Sequence, residues 1–149
     1  MVYLLDTNIF VRFFVKEDEK SFNECYTLLD KVQRNLIKAV TNTLVIAEVV
    51  WLLKSYYKLD RQTISMIVKA INCFNGLKII SNYELNLAAG IFQDYNLKFV
   101  DALIATIPQI FTKKWTIISY DKDFDQIDVV RKEPAEINRL NKQTGSPRY

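Results

Sequence analysis

The chain of 149 residues contains no histidine. That absence removes Ser-His-Asp and Cys-His catalysis, His-based zinc sites and histidine general bases together. Only three glycines occur, and none forms a phosphate-cradling loop or a GxGxxG turn. Cys25 and Cys73 are far apart and in no metal or redox spacing, so both are expected as buried thiols. No apolar run is long enough to span a bilayer, and no charged-then-apolar leader precedes the first apolar run. The expected setting is therefore the cytoplasm, with no membrane partner. Charge of one sign is also scarce. The 20 basic and 17 acidic residues leave a net +3, a weak bias toward anionic partners. What remains for catalysis is Lys, Asp and Glu, with a hard metal ion.

Half the residues are apolar and a quarter charged, which fits one globular domain with a real core. Val2-Tyr3-Leu4-Leu5 reads as a buried strand that stops at Asp6. Asn8–Val15 and Ser21–Val32 have helical spacing, with Phe22, Cys25, Leu28, Leu29 and Val32 on the core face of the second. A strand over Leu36–Val40 and candidate caps at Thr41, Asn42 and Thr43 lead into Leu44–Leu53, apolar except for Glu48. A helix so apolar is expected to be buried nearly all round. Gln62–Phe74 is the next helix, ended by Asn75-Gly76. Leu77–Ile80 is a strand, and Ser81 or Asn82 is expected to cap Glu84–Tyr95, packed through Leu85, Leu87, Ala88 and Ile91. Asp101 then lies at or just inside a helix start, and Pro108 should interrupt that helix. A strand over Trp115–Tyr120 ends at Asp121, and Ile127–Val130 is expected as an edge strand. A domain over 1–131 is followed by a polar stretch, 132–149, read as part of that domain or as a docking arm.

Strands alternating with helices imply a three-layer α/β/α sandwich on a mostly parallel sheet of about five strands. Right-handed crossovers then bring the strand ends to one edge. Asp6, Glu48, Asp101 and Asp121 can all reach that edge. Each has a plainer alternative. Asp6 could cap the next helix. Glu48 could lie on a solvent stripe or pair with Lys54, and Asp101 could merely exploit a helix dipole. Clustered carboxylates without histidine or cysteine are the ligand set for Mg²⁺ or Mn²⁺. Such ions activate water and support in-line phosphoryl displacement, so the expected chemistry is phosphodiester hydrolysis. Arg12, Lys16, Lys54, Lys113 and Lys114 are candidates to grip an RNA backbone, or ordinary solvated charges.

Four motifs stand in order: Leu4-Leu5-Asp6-Thr7-Asn8, Ala47-Glu48-Val49, Val100-Asp101-Ala102-Leu103-Ile104-Ala105 and Ser119-Tyr120-Asp121-Lys122-Asp123-Phe124. Together they resemble the PIN domain family, and within it the VapC-type toxins of prokaryotic toxin–antitoxin pairs, over about residues 1–131. The resemblance implies a metal-dependent ribonuclease whose acids are Asp6, Glu48, Asp101 and Asp121. It implies that Asn8 hydrogen-bonds the first acid or a metal water, and that Ser119 is the small hydroxyl before the last acid. Asp121 is preferred over Asp123 as the fourth acid, with Asp125 a surface charge. A VapB-like antitoxin and a homodimer are the implied partners, and some of Phe10, Phe13, Phe14, Trp51, Tyr56 and Tyr57 could supply the dimer face. The alternative is a PIN-like module that binds RNA or protein without cleaving. A phospho-receiver domain would want an acidic pair at the first strand, and an acid-dependent phosphatase would want Asp-x-Asp; position 8 is Asn.

Overall fold

A computed structural model describes residues 1–140. Five strands form one all-parallel sheet: β1 (Val2–Leu5), β2 (Lys38–Asn42), β3 (Leu77–Ile80), β4 (Trp115–Ile118) and β5 (Arg131–Lys132), in the order β3-β2-β1-β4-β5. The helices are α1 (Thr7–Phe14), α2 (Glu19–Gln33), α3 (Thr43–Ser55), α4 (Arg61–Asn72), α5 (Leu85–Asp94), α6 (Phe99–Ala105), α7 (Pro108–Phe111) and α8 (Pro134–Leu140). β1 is central, and Leu4 and Leu5 are fully buried. A strand buried on both faces reads as a continuous apolar run, as this one does.

The chain steps outward from β1 to β2 to β3, then returns to β4 on the other side of β1. Right-handed crossovers therefore place α1–α4 over one face and α5–α7 over the other. The packing divides the same way: α1 meets α2 and α3, α3 meets α4, and α6 meets α5 and α7. Short polar side chains cap α2, α3 and α4. Asp18 accepts from the Ser21 amide, Asn42 from Leu44 and Asp60 from Thr63, each satisfying an orphan donor. Pro108 opens α7, where its missing N–H costs nothing.

Several expectations shift. β2 begins two residues late. β4 ends at Ile118, so Asp121 lies three residues beyond the strand end rather than at its tip. The edge strand is Arg131–Lys132, not Ile127–Val130; the Arg131 guanidinium anchors it by donating to the Ser119 carbonyl at 2.9 Å and to Asp125 at 2.8 and 3.0 Å. Asp125 is the expected surface charge, and it is paired with Arg131. Glu84, rather than Ser81 or Asn82, caps α5, and Leu85 and Leu87 are exposed, leaving Ala88 as the buried contact. Gly76 does not cap α4, which ends at Asn72 with Cys73 as its C-cap; a Cβ at Gly76 would lie 2.2 Å from the Val32 carbonyl oxygen, so close backbone approach demands the glycine. Cys25 is buried but Cys73 is exposed.

The helix expected to be buried all round is buried only along Val45, Val49 and Leu53. Trp51 is 63% exposed, and Tyr56 is exposed too. α3 lies in an outer layer, and among the described residues its side around Trp51 stays exposed, which apolar composition alone could not reveal. Within the polar stretch from 132, α8 packs on α2 with Ile137 buried and Asn138 donating to the Glu24 carbonyl at 3.0 Å. Residues 141–149, where the rest of the expected docking arm falls, lie outside the described residues.

Candidate active site

In an open parallel sheet, ligands collect beyond the carboxyl ends of the strands where strand order reverses. Here that point is the crevice between β1 and β4. The Asp6 amide donates to the Ile118 carbonyl at 3.1 Å, so the pairing carries one residue past β1 and locks the two strand exits together. Thr41 at the end of β2 donates its hydroxyl to the Leu5 carbonyl at 2.9 Å and fixes the third exit.

Asp6 has the backbone of an N-cap, yet its side chain makes no capping bond. Its Oδ2 instead accepts from Ser119 Oγ at 2.6 Å and from Asn8 Nδ2 at 3.2 Å. Asn8 Nδ2 also reaches Ser119 Oγ at 2.9 Å, and Asn8 Oδ1 accepts from the Tyr120 amide at 3.2 Å. The Asp121 amide donates to Ser119 Oγ at 2.9 Å. Ser119, fully buried, thus ties the first acid to the loop that carries the last. Glu48 takes neither of its plainer roles: its Oε2 accepts from Thr7 Oγ1 at 2.7 Å, one residue from Asp6. Asp101 sits in the first turn of the almost wholly buried α6 and is 3% exposed. Asp121 Oδ1 accepts from the Asp123 amide at 2.9 Å, starting a 3₁₀ turn at Lys122–Gln126, and its Oδ2 lies 3.8 Å from Lys98 Nζ.

All four acids line one pocket of about 210 Å³, with Asn8, Thr7 and Lys98 beside them. Val11, Arg12, Glu17, Leu52 and Tyr57 form the rest of the lining. Asp123 is not part of it and accepts weakly from Gln126 at 3.5 Å. Burial, with Glu48 and Asp121 adding repulsion against the bond from Ser119, raises the Asp6 carboxyl to about 6. Burial and then the neighbouring Asp6 charge raise Asp101 to about 8. Burial alone would lower Lys98, but Asp101, Glu48, Asp121 and Asp6 outweigh it and hold the ammonium above its usual range. Tyr57 is pushed up to about 12 by burial and by Glu17.

Of the basic candidates, Arg12 lines the pocket, its guanidinium 4.2 Å from the Tyr120 ring centroid and 3.8 Å from Asp18. Lys16 pairs with Glu19 at 2.8 Å outside the pocket. Lys54 lines a separate groove between α3 and α4. Lys113 and Lys114 precede β4 and so lie at the opposite end of the strand from the acids; Lys113 pairs with Asp128 at 2.5 Å. Sequence reasoning missed Lys98, Thr7, Glu17 and Tyr57. Lys98 did carry a signal: it is the N-cap residue of α6, where a lysine has no capping oxygen to offer.

The donor set suits a hard divalent ion. Asp6 Oδ1 and Asp101 Oδ2 are buried and accept no hydrogen bond from the described residues, an expensive state for a carboxylate unless a cation completes it. All the acids are oxygen donors, as Mg²⁺ or Mn²⁺ prefers. Among the described residues, no three acidic or cysteine side chains are grouped closely enough to hold a metal ion as they stand.

A family model described as "PIN domain" matches residues 3–130. Comparison with curated proteins gives no match. Among solved structures, the chain is similar to VapBC2 of Rickettsia felis, bound to a DNA fragment from their promoter. That match has 20% identity, 89% and 98% coverage of this chain and that one, and a TM-score of 0.62. PAE2754 from Pyrobaculum aerophilum matches at 16% identity, 96% and 91% coverage and 0.65. Mycobacterium tuberculosis VapC20, a sarcin-ricin loop cleaving toxin, matches at 14% identity, 86% and 96% coverage and 0.62.

Proposed function

Because the chain belongs to the PIN domain family, we propose that it is a Mg²⁺- or Mn²⁺-dependent endoribonuclease, the toxin of a VapBC-type pair. The observation that carries this reading is the pocket at the β1/β4 switch. Acids from four separate segments line it, and two of them present buried oxygens without partners. Asp6, Glu48 and Asp101 would hold the ion, with Asp121 in support. When bound, such an ion lowers the pKa of a water and neutralises charge at a phosphodiester. Ser119 and Asn8 keep the Asp6 carboxylate turned into the crevice, and Thr7 does the same for Glu48. Arg12, which also lines the pocket, would be the residue to pair with an RNA phosphate.

The partners rest on different observations. The exposed apolar side of α3, around Trp51, supports a second protein surface there, and we assign it to a homodimer. The similarity to the Rickettsia felis VapBC2 structure supports a VapB-like antitoxin. Among the described residues no helix is long and apolar enough to cross a membrane, which accords with a cytoplasmic setting.

The test is a metal-titrated cleavage assay on fluorescent single-stranded RNA. Wild type should cleave with Mg²⁺ or Mn²⁺ and stop in excess chelator. Asp6→Asn should be folded by circular dichroism and inactive. A wild type that leaves RNA intact at every metal concentration would reduce the chain to a non-cleaving binding module.

A further inference from the structure

Lys98 is the one pocket residue that local structure argues against. It is the N-cap residue of α6, and its side chain makes no capping bond. Ser, Thr, Asp or Asn would serve that position better, and a cation at a helix N-terminus opposes the dipole. Among the described residues its one ion pair, to Asp121, is 3.8 Å long, with the lysine side chain 63% exposed. An exposed pair of that kind contributes little to stability, too little to explain the residue. Positions where local preference is overridden without a packing gain tend to be functional. The ammonium lines the same pocket as all four acids.

Resting on the ribonuclease reading above, we propose that Lys98 is a catalytic residue that binds a non-bridging oxygen of the scissile phosphate. Hydrolysis joins a water oxygen to phosphorus and breaks the bond from phosphorus to the leaving oxygen. One proton leaves the attacking water and one reaches the leaving oxygen, so the sum is one water consumed. Through that exchange negative charge gathers on the non-bridging oxygens. Lys98 forms no covalent bond; its preorganised positive charge meets the gathering charge, the arrangement that makes electrostatic stabilisation effective. Its distance from Asp121 fits this role. An ammonium at 3.8 Å is attracted to the acid without being bound tightly to it, and is free to turn to a phosphate. Lysine suits the task as a compact, flexible point charge.

The test compares wild type with Lys98→Ser and Lys98→Arg. Serine installs a preferred N-cap, so lost activity cannot be traced to a failed helix start. On RNA at saturating Mn²⁺, Lys98→Ser should lower kcat by about 10²-fold with little change in KM, the scale for removing one preorganised donor. Lys98→Arg should recover kcat to within about tenfold of wild type, since the positive charge is what acts. Mn²⁺ affinity, read separately by calorimetry, should be unchanged or tighter in Lys98→Ser, because a cation has left the acid pocket. Wild type that cleaves alongside an equally active Lys98→Ser overturns this proposal alone. So does a kcat loss accompanied by an equal loss of Mn²⁺ binding, which would mark Lys98 as structural. Wild type that does not cleave overturns the ribonuclease reading and this proposal with it.

Discussion

Raising the pH should weaken the metal-free fold, and a divalent ion should reverse the loss. The Asp6 carboxyl moves from its ordinary 3.8 to about 6, and Asp101 from 3.8 to about 8. Below about pH 4 both are protonated whether the chain is folded or not, so neither carries a penalty. Between pH 4 and 8 the unfolded chain has released protons that the folded chain still holds. Stability therefore falls as pH rises through this window and levels off above about 8. For Asp6 alone the cost is about 3 kcal/mol at ~1.4 kcal/mol per pH unit. For a chain of this size that is roughly a 10 °C fall in Tm, with Asp101 adding to it. The chain has no histidine to titrate in this window, and Asp18, Glu19, Asp60 and Asp125 are lowered, so their effects fall below it or at its acid end. The assay is thermal unfolding by circular dichroism in chelator, from about pH 5 to about pH 8.5, then with Mg²⁺. Mg²⁺ should raise Tm far more at the alkaline end, where protons no longer compete for the carboxylates. Asp101→Asn should flatten the pH profile. A chelated Tm that stays level or climbs across the window would refute the reasoning.

Ser119→Ala removes the 2.6 Å bond to Asp6 and leaves the Asn8 amide and the Asp121 N–H without that acceptor; urea unfolding should show a loss of about 2–3 kcal/mol. Asp121→Ala should lower RNA cleavage at least tenfold (about 1.4 kcal/mol) while Asp123→Ala stays near wild type, because only Asp121 lines the pocket; matched losses would shift the role to the loop as a whole. Gly76→Ala must push its Cβ away from the Val32 carbonyl, and denaturant melts should report about 1–3 kcal/mol of destabilisation.

β1 and Asp6 were legible because a buried central strand is a continuous apolar run and its carboxyl end is where parallel sheets bind ligands. Glu48 and Asp101 stood out as single acids in apolar segments, a conflict that burial makes costly. Other features depend on contacts that no local pattern encodes. The exposure of Trp51 follows from what does not cover α3, and periodicity cannot register a missing layer. Lys113 and Lys114 were near the fourth acid in sequence, but β4 separates them from it along its whole length. Lys98 carries no sequence pattern that points to the acids; only the fold brings it within 3.8 Å of Asp121. Arg131 likewise looked like the end of the domain, although its guanidinium holds the Ser119 loop in place.

The proposed function requires the carboxylates of Asp6, Glu48, Asp101 and Asp121 to share one cation. Calorimetric titration of Mn²⁺ into the chelator-treated protein near pH 7.5 tests this most directly. Wild type should bind with a defined stoichiometry, and Asp6→Asn and Asp101→Asn should each weaken binding by at least about tenfold, or 1.4 kcal/mol. Absence of binding in the folded wild type, or wild-type affinity in both variants, would contradict it.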